Sequence, residues 1–131
     1  EVCRQGSAEV GWSNPKWGIN PNLFEGNKTV SLELAEQFMT LTPGAFPDWV
    51  VVNVGDGCTI GGVWKGLREM HILGFIPRLP RILGVQAEGC KPFLTAWQDH
   101  AELTPCEANT QADPIAVGHR RSFTEGMREV H

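Results

Sequence analysis

The sequence predicts an α/β fold, a three-layer αβα sandwich with a mostly parallel sheet, and three observations indicate it. Residues 49–54 form an apolar, β-branched run with almost no alternation, which is typical of a parallel strand covered on both faces. An amphipathic helix pattern follows from Thr59 to about Leu73, and residues 81–87 predict a second strand. Strand, helix and strand with short connections make a βαβ unit, whose crossover we expect to be right-handed.

The segments before this unit predict helices and a loop. Residues 1–10 look like the end of a helix, and residues 11–25, with Asn, Pro and Gly throughout, predict a loop. A helix then begins at Asn27 or Thr29 and ends at Pro43. Its buried face is predicted to comprise Val30, Leu34, Phe38 and Leu41, and its exposed face Ser31, Glu33 and Gln37.

The helix between the two strands has a clear apolar stripe, and weaker patterns follow the second strand. The stripe consists of Ile60, Val63, Leu67 and Met70. Residues 92–98 predict a short helix and residues 99–112 a loop. Residues 115–117 predict a short strand, and a last helix is expected at residues 121–130.

Length, charge and cysteine spacing exclude several classes of protein. A chain of 131 residues is one domain or part of one, and we expect residues 1–131 to form a single, partial domain of a longer protein. The net charge of −4, without a basic stripe, argues against nucleic-acid binding. The chain has no apolar run of the ~20 residues that cross a membrane. The cysteines Cys3, Cys58, Cys90 and Cys106 lack metal-site spacing, so we expect reduced thiols, no metal and a cytoplasmic protein.

The most informative chemical feature is the glycine-rich turn at residues 55–59, between the first strand and its helix. Such a turn directs several backbone N–H groups and the positive end of a helix dipole at one point, which suits a phosphate group. Ile60 replaces the last glycine of a dinucleotide motif, and no Gly-Lys-Thr is present, so a single phosphate is favoured over a nucleotide. Any α/β sheet needs a similar turn, and Thr59 can act as a simple helix cap.

Four motifs in order resemble the fold-type II pyridoxal-phosphate enzymes (the tryptophan synthase β-like superfamily), and most closely the threonine synthases. The motifs are Glu25-Gly26-Asn27-Lys28-Thr29, the stretch 47–61 with its glycine turn, residues 79–89 and residues 112–118. The resemblance covers residues 11–130 and implies the large cofactor domain of such an enzyme. It further implies an amino-acid substrate. Because half of a two-domain enzyme would expose apolar surface, we also expect that the chain can form a homodimer.

The resemblance assigns the turn to pyridoxal 5'-phosphate. The residues carried over as the binding loop for the cofactor phosphate are Gly55, Asp56, Gly57, Cys58 and Thr59. Asp56 departs from the family pattern, and we expect its carboxylate to face away and leave only its N–H to the phosphate. The implied activity is that of a lyase that converts O-phosphohomoserine to threonine and phosphate.

Two further departures leave alternatives open. Leu23 stands where threonine synthases carry an arginine that helps to hold the substrate phosphate, so another fold-type II enzyme, an amino-acid dehydratase or ammonia-lyase, remains an alternative. The Schiff-base lysine of the family lies in a Ser-x-Lys-like stretch that we expect upstream of this chain. None of the lysines Lys16, Lys28, Lys65 and Lys91 has that context, so we expect no catalytic residue here and an inactive segment. A non-catalytic, truncated remnant would also explain the missing lysine.

Overall fold

The computed structural model of the chain describes residues 2–11 and 21–118. In chain order its elements are α1 (Val2–Val10), α2 (Pro21–Gly26), α3 (Lys28–Leu41), β1 (Trp49–Asn53), α4 (Cys58–Ile72), β2 (Arg81–Val85) and α5 (Pro92–Gln98), followed by a 3₁₀ turn at Asp113–Ile115. Helices and strands alternate from α3 onwards, as the sequence predicts, so the fold class is α/β. In the described ranges, no helix has the length and apolar character needed to cross a membrane.

Strands β1 and β2 lie side by side and run in the same direction, so α4 is the crossover between them. Trp49 pairs with Arg81 and Asn53 with Val85, in one continuous register. The N–H of Val54 donates to the carbonyl oxygen of Val85 at 2.8 Å and extends the pairing by one residue. The predicted βαβ unit is confirmed, and its strands end together beside the glycine turn.

Helices α3 and α4 cover one face of this sheet and form the hydrophobic core with it. The buried members of the core are Ala35, Phe46, Val52, Val63, Leu67 and Ile76. Val63 and Leu67 are 2% and 0% exposed, which confirms the predicted buried stripe of α4. Phe46 meets Phe38 edge to face, with ring centroids 5.7 Å apart, a geometry that aromatic pairs favour. This packing fixes α4, and with it the turn at its N-terminus.

Helix α3 buries only part of the face that its apolar pattern predicts: Leu34 and Phe38 pack against the core as predicted, but the rest of the buried face differs. Ser31 and Ala35 are fully buried, whereas Val30 and Leu41 are 52% and 78% exposed. The Ser31 hydroxyl donates a hydrogen bond of 2.6 Å to the carbonyl oxygen of Val63 in α4. Because this bond satisfies the buried hydroxyl, its burial costs little. The prediction that Ser31 faces water was therefore wrong. The apolar periodicity of a helix does not show that one of its polar side chains has a hydrogen-bond partner on another helix.

The close approach of α3 and α4 depends on Gly66. A Cβ atom at this position would lie 2.8 Å from the Cβ of Ser31 and 3.0 Å from the carbonyl oxygen of Lys28. At such distances atoms overlap, so a larger residue would force the helices apart. Gly66 therefore sets the spacing between the two helices that form the core.

The opposite face of the sheet is uncovered in the described part of the chain. Trp49, Val51 and Leu83 are 51%, 64% and 49% exposed. The Arg81 guanidinium lies over the Trp49 ring, 5.3 Å from its centroid, and gives that ring a cation–π contact. The described residues thus cover only one of the two strand faces that the apolar run predicts to be buried.

Other predicted segments differ in detail. Helix α2 forms within residues that the sequence predicts as a loop; it begins at Pro21, where the missing N–H of proline costs nothing. Residues 115–117 predict a strand, but the Ala116 N–H donates to Asp113 and closes a local 3₁₀ turn instead. Helix α5 and the irregular stretch 99–112 are confirmed. The helix predicted at 121–130, and the loop prediction at 12–20, fall outside the described residues.

Candidate functional site

The glycine turn lies at the carboxyl edge of the sheet, directly before the N-terminus of α4. Helix α4 begins at Cys58, with Gly57 as its N-cap residue at φ 91°. This left-handed conformation is open to glycine and strained for most other residues. The first N–H groups of a helix have no partner within the helix and carry its partial positive charge. The turn is therefore placed where the sequence predicts an anion site.

The carboxylate of Asp56 accepts a hydrogen bond from one of these N–H groups. Its Oδ1 accepts a hydrogen bond of 3.0 Å from the backbone N–H of Cys58. The prediction that this carboxylate faces away was wrong, because folding back gives it a charge-assisted hydrogen bond and a favourable position at the helix dipole. A phosphate at the same N-terminus would meet a negative charge that is already in place.

The remaining donors of the turn come from the backbone and from Thr59. Thr59 is half-buried in the first turn of α4, where its N–H has no partner within the helix. Its N–H and hydroxyl, together with the N–H of Gly57, can donate hydrogen bonds to an anion while the Asp56 carboxylate accepts from the Cys58 N–H. The Cys58 side chain is 4% exposed and packs as a small apolar residue.

Two neighbouring segments hold the turn in place. A Cβ atom on Gly55 would lie 3.4 Å from the Cα of Ile115 and from the carbonyl oxygen of Pro114. A Cβ atom on Gly57 would lie 3.3 Å from the Phe93 ring. Glycine at both positions lets these segments pack against the turn and keep its backbone in one conformation. Backbone N–H groups at a helix N-terminus suit a phosphate group, and here one of them, that of Cys58, is taken by Asp56.

An apolar groove of about 370 Å³ opens beside the turn. Gly57, Ile60, Phe93 and Trp97 contribute to its lining.

Gln86 ties the two sides of this groove together. Its side-chain oxygen accepts from the Leu94 N–H at 3.0 Å, and its amide nitrogen donates to the carbonyl oxygen of Val54 at 3.4 Å. Gln86 thereby joins the end of β1 to helix α5. The predicted site did not include Gln86. Its position directly after β2 could have indicated it, because ligands of parallel sheets bind at the carboxyl edge.

The second predicted motif, residues 25–29, supplies an ion-pair cluster at the junction of α2, α3 and α4. The Nζ of Lys28 lies 2.7 Å from Glu25 Oε2 and 2.9 Å from Glu69 Oε2. The Nζ of Lys65 also pairs with Glu25.

The cluster changes the protonation behaviour of its members. Hydrogen bonds from Lys28 and Lys65 hold the pKa of Glu25 below its ordinary value. Hydrogen bonds to Glu25 and Glu69 raise the pKa of Lys28, which stays protonated at neutral pH. A protonated, paired amine is a poor nucleophile, so these contacts give Lys28 a structural role.

Metal binding has no support in the described ranges. Among residues 2–11 and 21–118, no three His, Cys, Asp or Glu side chains come together in a way that could hold a metal ion.

Comparison with known proteins places these features in a family. The family model described as "Pyridoxal-phosphate dependent enzyme" matches residues 1–129. The threonine synthase of Methanocaldococcus jannaschii is 39% identical over 115 residues, which cover 86% of this chain and 27% of that enzyme. The threonine synthase of Mycobacterium tuberculosis is 35% identical over 128 residues, which cover 97% of this chain and 32% of the relative. The chain thus spans about a third or less of the length of these relatives.

A solved structure agrees in fold. A threonine deaminase from T.th. superimposes with a TM-score of 0.75 over 96% of this chain and 44% of its own length. The two sequences are 22% identical, so the likeness concerns the fold alone. It supports the α/β architecture with a parallel sheet.

Proposed function

Because the chain belongs to the family of pyridoxal-phosphate-dependent enzymes, we propose that residues 1–131 form part of the cofactor domain of an amino-acid lyase similar to threonine synthase. The observation that carries the proposal is the glycine turn at residues 55–59, set between a parallel strand and the N-terminus of α4. The identity of 35–39% with threonine synthases favours this branch of the family.

In this proposal the turn holds the phosphate of pyridoxal 5'-phosphate. The residues are Gly55, Asp56, Gly57, Cys58 and Thr59. Gly57 and Thr59 donate through their backbone N–H groups and the Thr59 hydroxyl, while the Asp56 carboxylate keeps its hydrogen bond from the Cys58 N–H. When bound, the cofactor supplies an electron sink for the reacting carbon of an amino acid. The chain's own contribution is to bind and orient it.

The proposed reaction is the conversion of O-phosphohomoserine to threonine and phosphate by a longer, cytoplasmic enzyme that can form a homodimer. A chain with these lysines alone is inactive, since none stands in the Schiff-base motif and Lys28, Lys65 and Lys91 are each paired with a carboxylate.

Leu23 favours a second candidate. It lies on α2 at the position where threonine synthases carry an arginine for the substrate phosphate. A leucine cannot neutralise a phosphate dianion. An amino-acid dehydratase or ammonia-lyase, whose substrate has no phosphate, is therefore the alternative activity of the complete enzyme.

Binding of pyridoxine 5'-phosphate, which has the ring and phosphate of the cofactor but no aldehyde, tests the role of the turn. We expect the largest amide chemical-shift changes in NMR at Gly57 and Thr59. The Asp56→Asn variant should bind roughly 3- to 30-fold more tightly, because it removes a carboxylate from the helix N-terminus.

The matched control is Asp48→Asn, which removes the same charge before β1, at the other end of the strand. It should leave the affinity unchanged within about twofold, as expected for a screened charge at the surface. Shift changes confined to other segments, or equal gains in both variants, would refute the assignment of the turn.

A further inference from the structure

The sulfur atoms of Cys90 and Cys106 lie 4.0 Å apart, although the two residues are far apart in the sequence. No disulfide joins them in the structure. Cys90 is 1% exposed, whereas Cys106 is half-buried and reachable from solvent. An S–S bond is about 2.05 Å long, so the two sulfurs need to approach by roughly 2 Å to form one.

One backbone hydrogen bond joins the segment of Cys106 to the turn that carries Cys90, and another closes that segment on itself. The N–H of Cys106 donates to Gly118 at 2.9 Å, and the N–H of Asn109 donates to Gly89 at 3.0 Å. A Cβ atom on Gly89 would overlap the carbonyl oxygen of Asn109, and one on Gly118 would overlap that of Cys106. Glycine at position 89 therefore allows residues 106–118, here called the strap, to lie directly on the turn that follows β2, and glycine at position 118 lets the two ends of the strap meet.

The strap also reaches the candidate phosphate turn. Ile115 and Pro114 belong to it, and both lie against Gly55. A bond that fixes one end of the strap at Cys90 therefore also restrains the backbone of residues 55–59. This link requires no assumption about what the turn binds.

We propose that Cys90 and Cys106 form a reversible disulfide under oxidising conditions, and that this bond fastens the strap across the glycine turn. With hydrogen peroxide as oxidant, the Cys106 thiolate attacks one peroxide oxygen, which gives Cys106 sulfenic acid and hydroxide. The Cys90 sulfur then attacks the Cys106 sulfur and displaces hydroxide, so that two thiols and one peroxide yield one disulfide and two waters. A dithiol reductant reverses the reaction by thiol–disulfide exchange.

The environments of the two thiols set this order of events. Burial raises the pKa of the Cys90 thiol, and its contact with Cys106 adds to the effect. Cys90 therefore stays protonated and shielded until a sulfenic acid forms beside it. Cys106 is the more exposed of the two and meets the oxidant first.

Peptide mapping of the full chain tests the proposal. After mild peroxide treatment, the remaining thiols are alkylated and the chain is cleaved after glutamate, which places Cys90 in peptide 89–102 and Cys106 in peptide 103–107. We expect these two peptides to be cross-linked in more than about half of the molecules and separated by dithiothreitol. Hydrogen exchange in residues 108–118 should slow several-fold on oxidation.

Two controls distinguish a fold-determined bond from chance oxidation. The same treatment in concentrated guanidinium chloride should abolish the selectivity for this pair among the four cysteines. The Cys90→Ser variant should accumulate Cys106 sulfenic acid, trapped with dimedone, and show no slowing of exchange in the strap. Cross-links that mainly involve Cys58 or a second chain, or Cys106 oxidised beyond sulfenic acid without a cross-link in the unmodified chain, would overturn the proposal.

Discussion

Both faces of the sheet carry large apolar side chains, but helices bury these side chains on one face and leave them exposed on the other. On one face, Val50 and Val52 of β1 and Ile82 of β2 pack against α3 and α4. On the other, Val51 and Leu83 are 64% and 49% exposed. Large apolar side chains stand on both faces, although the open face also carries Arg81 and Asn53, so the presence of apolar residues does not by itself decide which face is buried. The difference lies in the helices, which bring small residues close enough to exclude water from one face only.

This contrast has an energetic consequence. Burial of apolar area stabilises the fold in proportion to the area removed from water, so the face under α3 and α4 provides most of the stabilisation from the sheet. The other face contributes little until something covers it. Substitutions on the two faces should therefore differ in cost even when the residue type is the same.

The largest effect is expected for Leu67→Ala, which empties a fully buried site in α4. Loss of buried leucine typically costs about 2–5 kcal/mol in the free energy of unfolding, measured by urea denaturation. The matched variant Leu83→Ala, on the open face, should cost less than about 1 kcal/mol. Equal costs would show that the open face is covered in solution and would break the comparison.

A smaller effect is expected for Gly66→Ala. The added methyl group would overlap the Cβ of Ser31 and push α3 away from α4, at a cost of about 1–3 kcal/mol. Thermal or urea unfolding measures the change. Gly6→Ala in α1 is the control, because no described atom lies within 4 Å of its Cβ position. That variant should be neutral or gain about 0.5–1 kcal/mol from helix propensity. A Gly66→Ala protein as stable as the parent chain would mean that the helices can separate without loss.

The smallest effect concerns pH and the ion pairs beside the same helix junction. The pKa of Glu25 is lower in the folded chain than its ordinary value of 4.5, because Lys28 and Lys65 donate hydrogen bonds to it. Its contribution to stability is therefore complete above pH 4.5 and is lost as the pH falls through the folded-state pKa. Since the side chain is 42% exposed, we expect less than about 1 kcal/mol.

The measurement for Glu25 is the difference in unfolding free energy between the parent chain and Glu25→Gln. This difference should be present at about pH 6 and shrink toward zero at roughly pH 3, where most carboxylates of the parent chain are protonated. Glu36→Gln, an exposed position on α3, should show no such trend. A difference that grows on acidification would contradict the assigned direction of the pKa shift.

Much of the fold was predictable because its signals are local. The β-branched run at 49–54, the stripe containing Val63 and Leu67, and the proline at the start of α5 each specify an element within a few residues. The turn at residues 55–59 was predictable for the same reason. By contrast, the partner of Ser31 and the role of Gly66 depend on a helix more than 30 residues away.

The candidate site was predictable in position but not in its electrostatics. A carboxylate one residue before an N-cap glycine can turn outward or fold back, and only the completed turn shows that Asp56 binds the Cys58 N–H. Gln86 and the strap lay outside the predicted site, because their contacts join segments that the sequence keeps apart.

The sequence by itself determined the α/β class, the βαβ unit and the location of a glycine turn suited to phosphate, since these follow from periodicity, backbone freedom and the order of motifs. Only the tertiary structure decided which strand face is covered, which side of α3 is buried and which thiols meet. Those outcomes depend on distances between residues far apart in the chain, and such distances follow from close packing rather than from any local pattern.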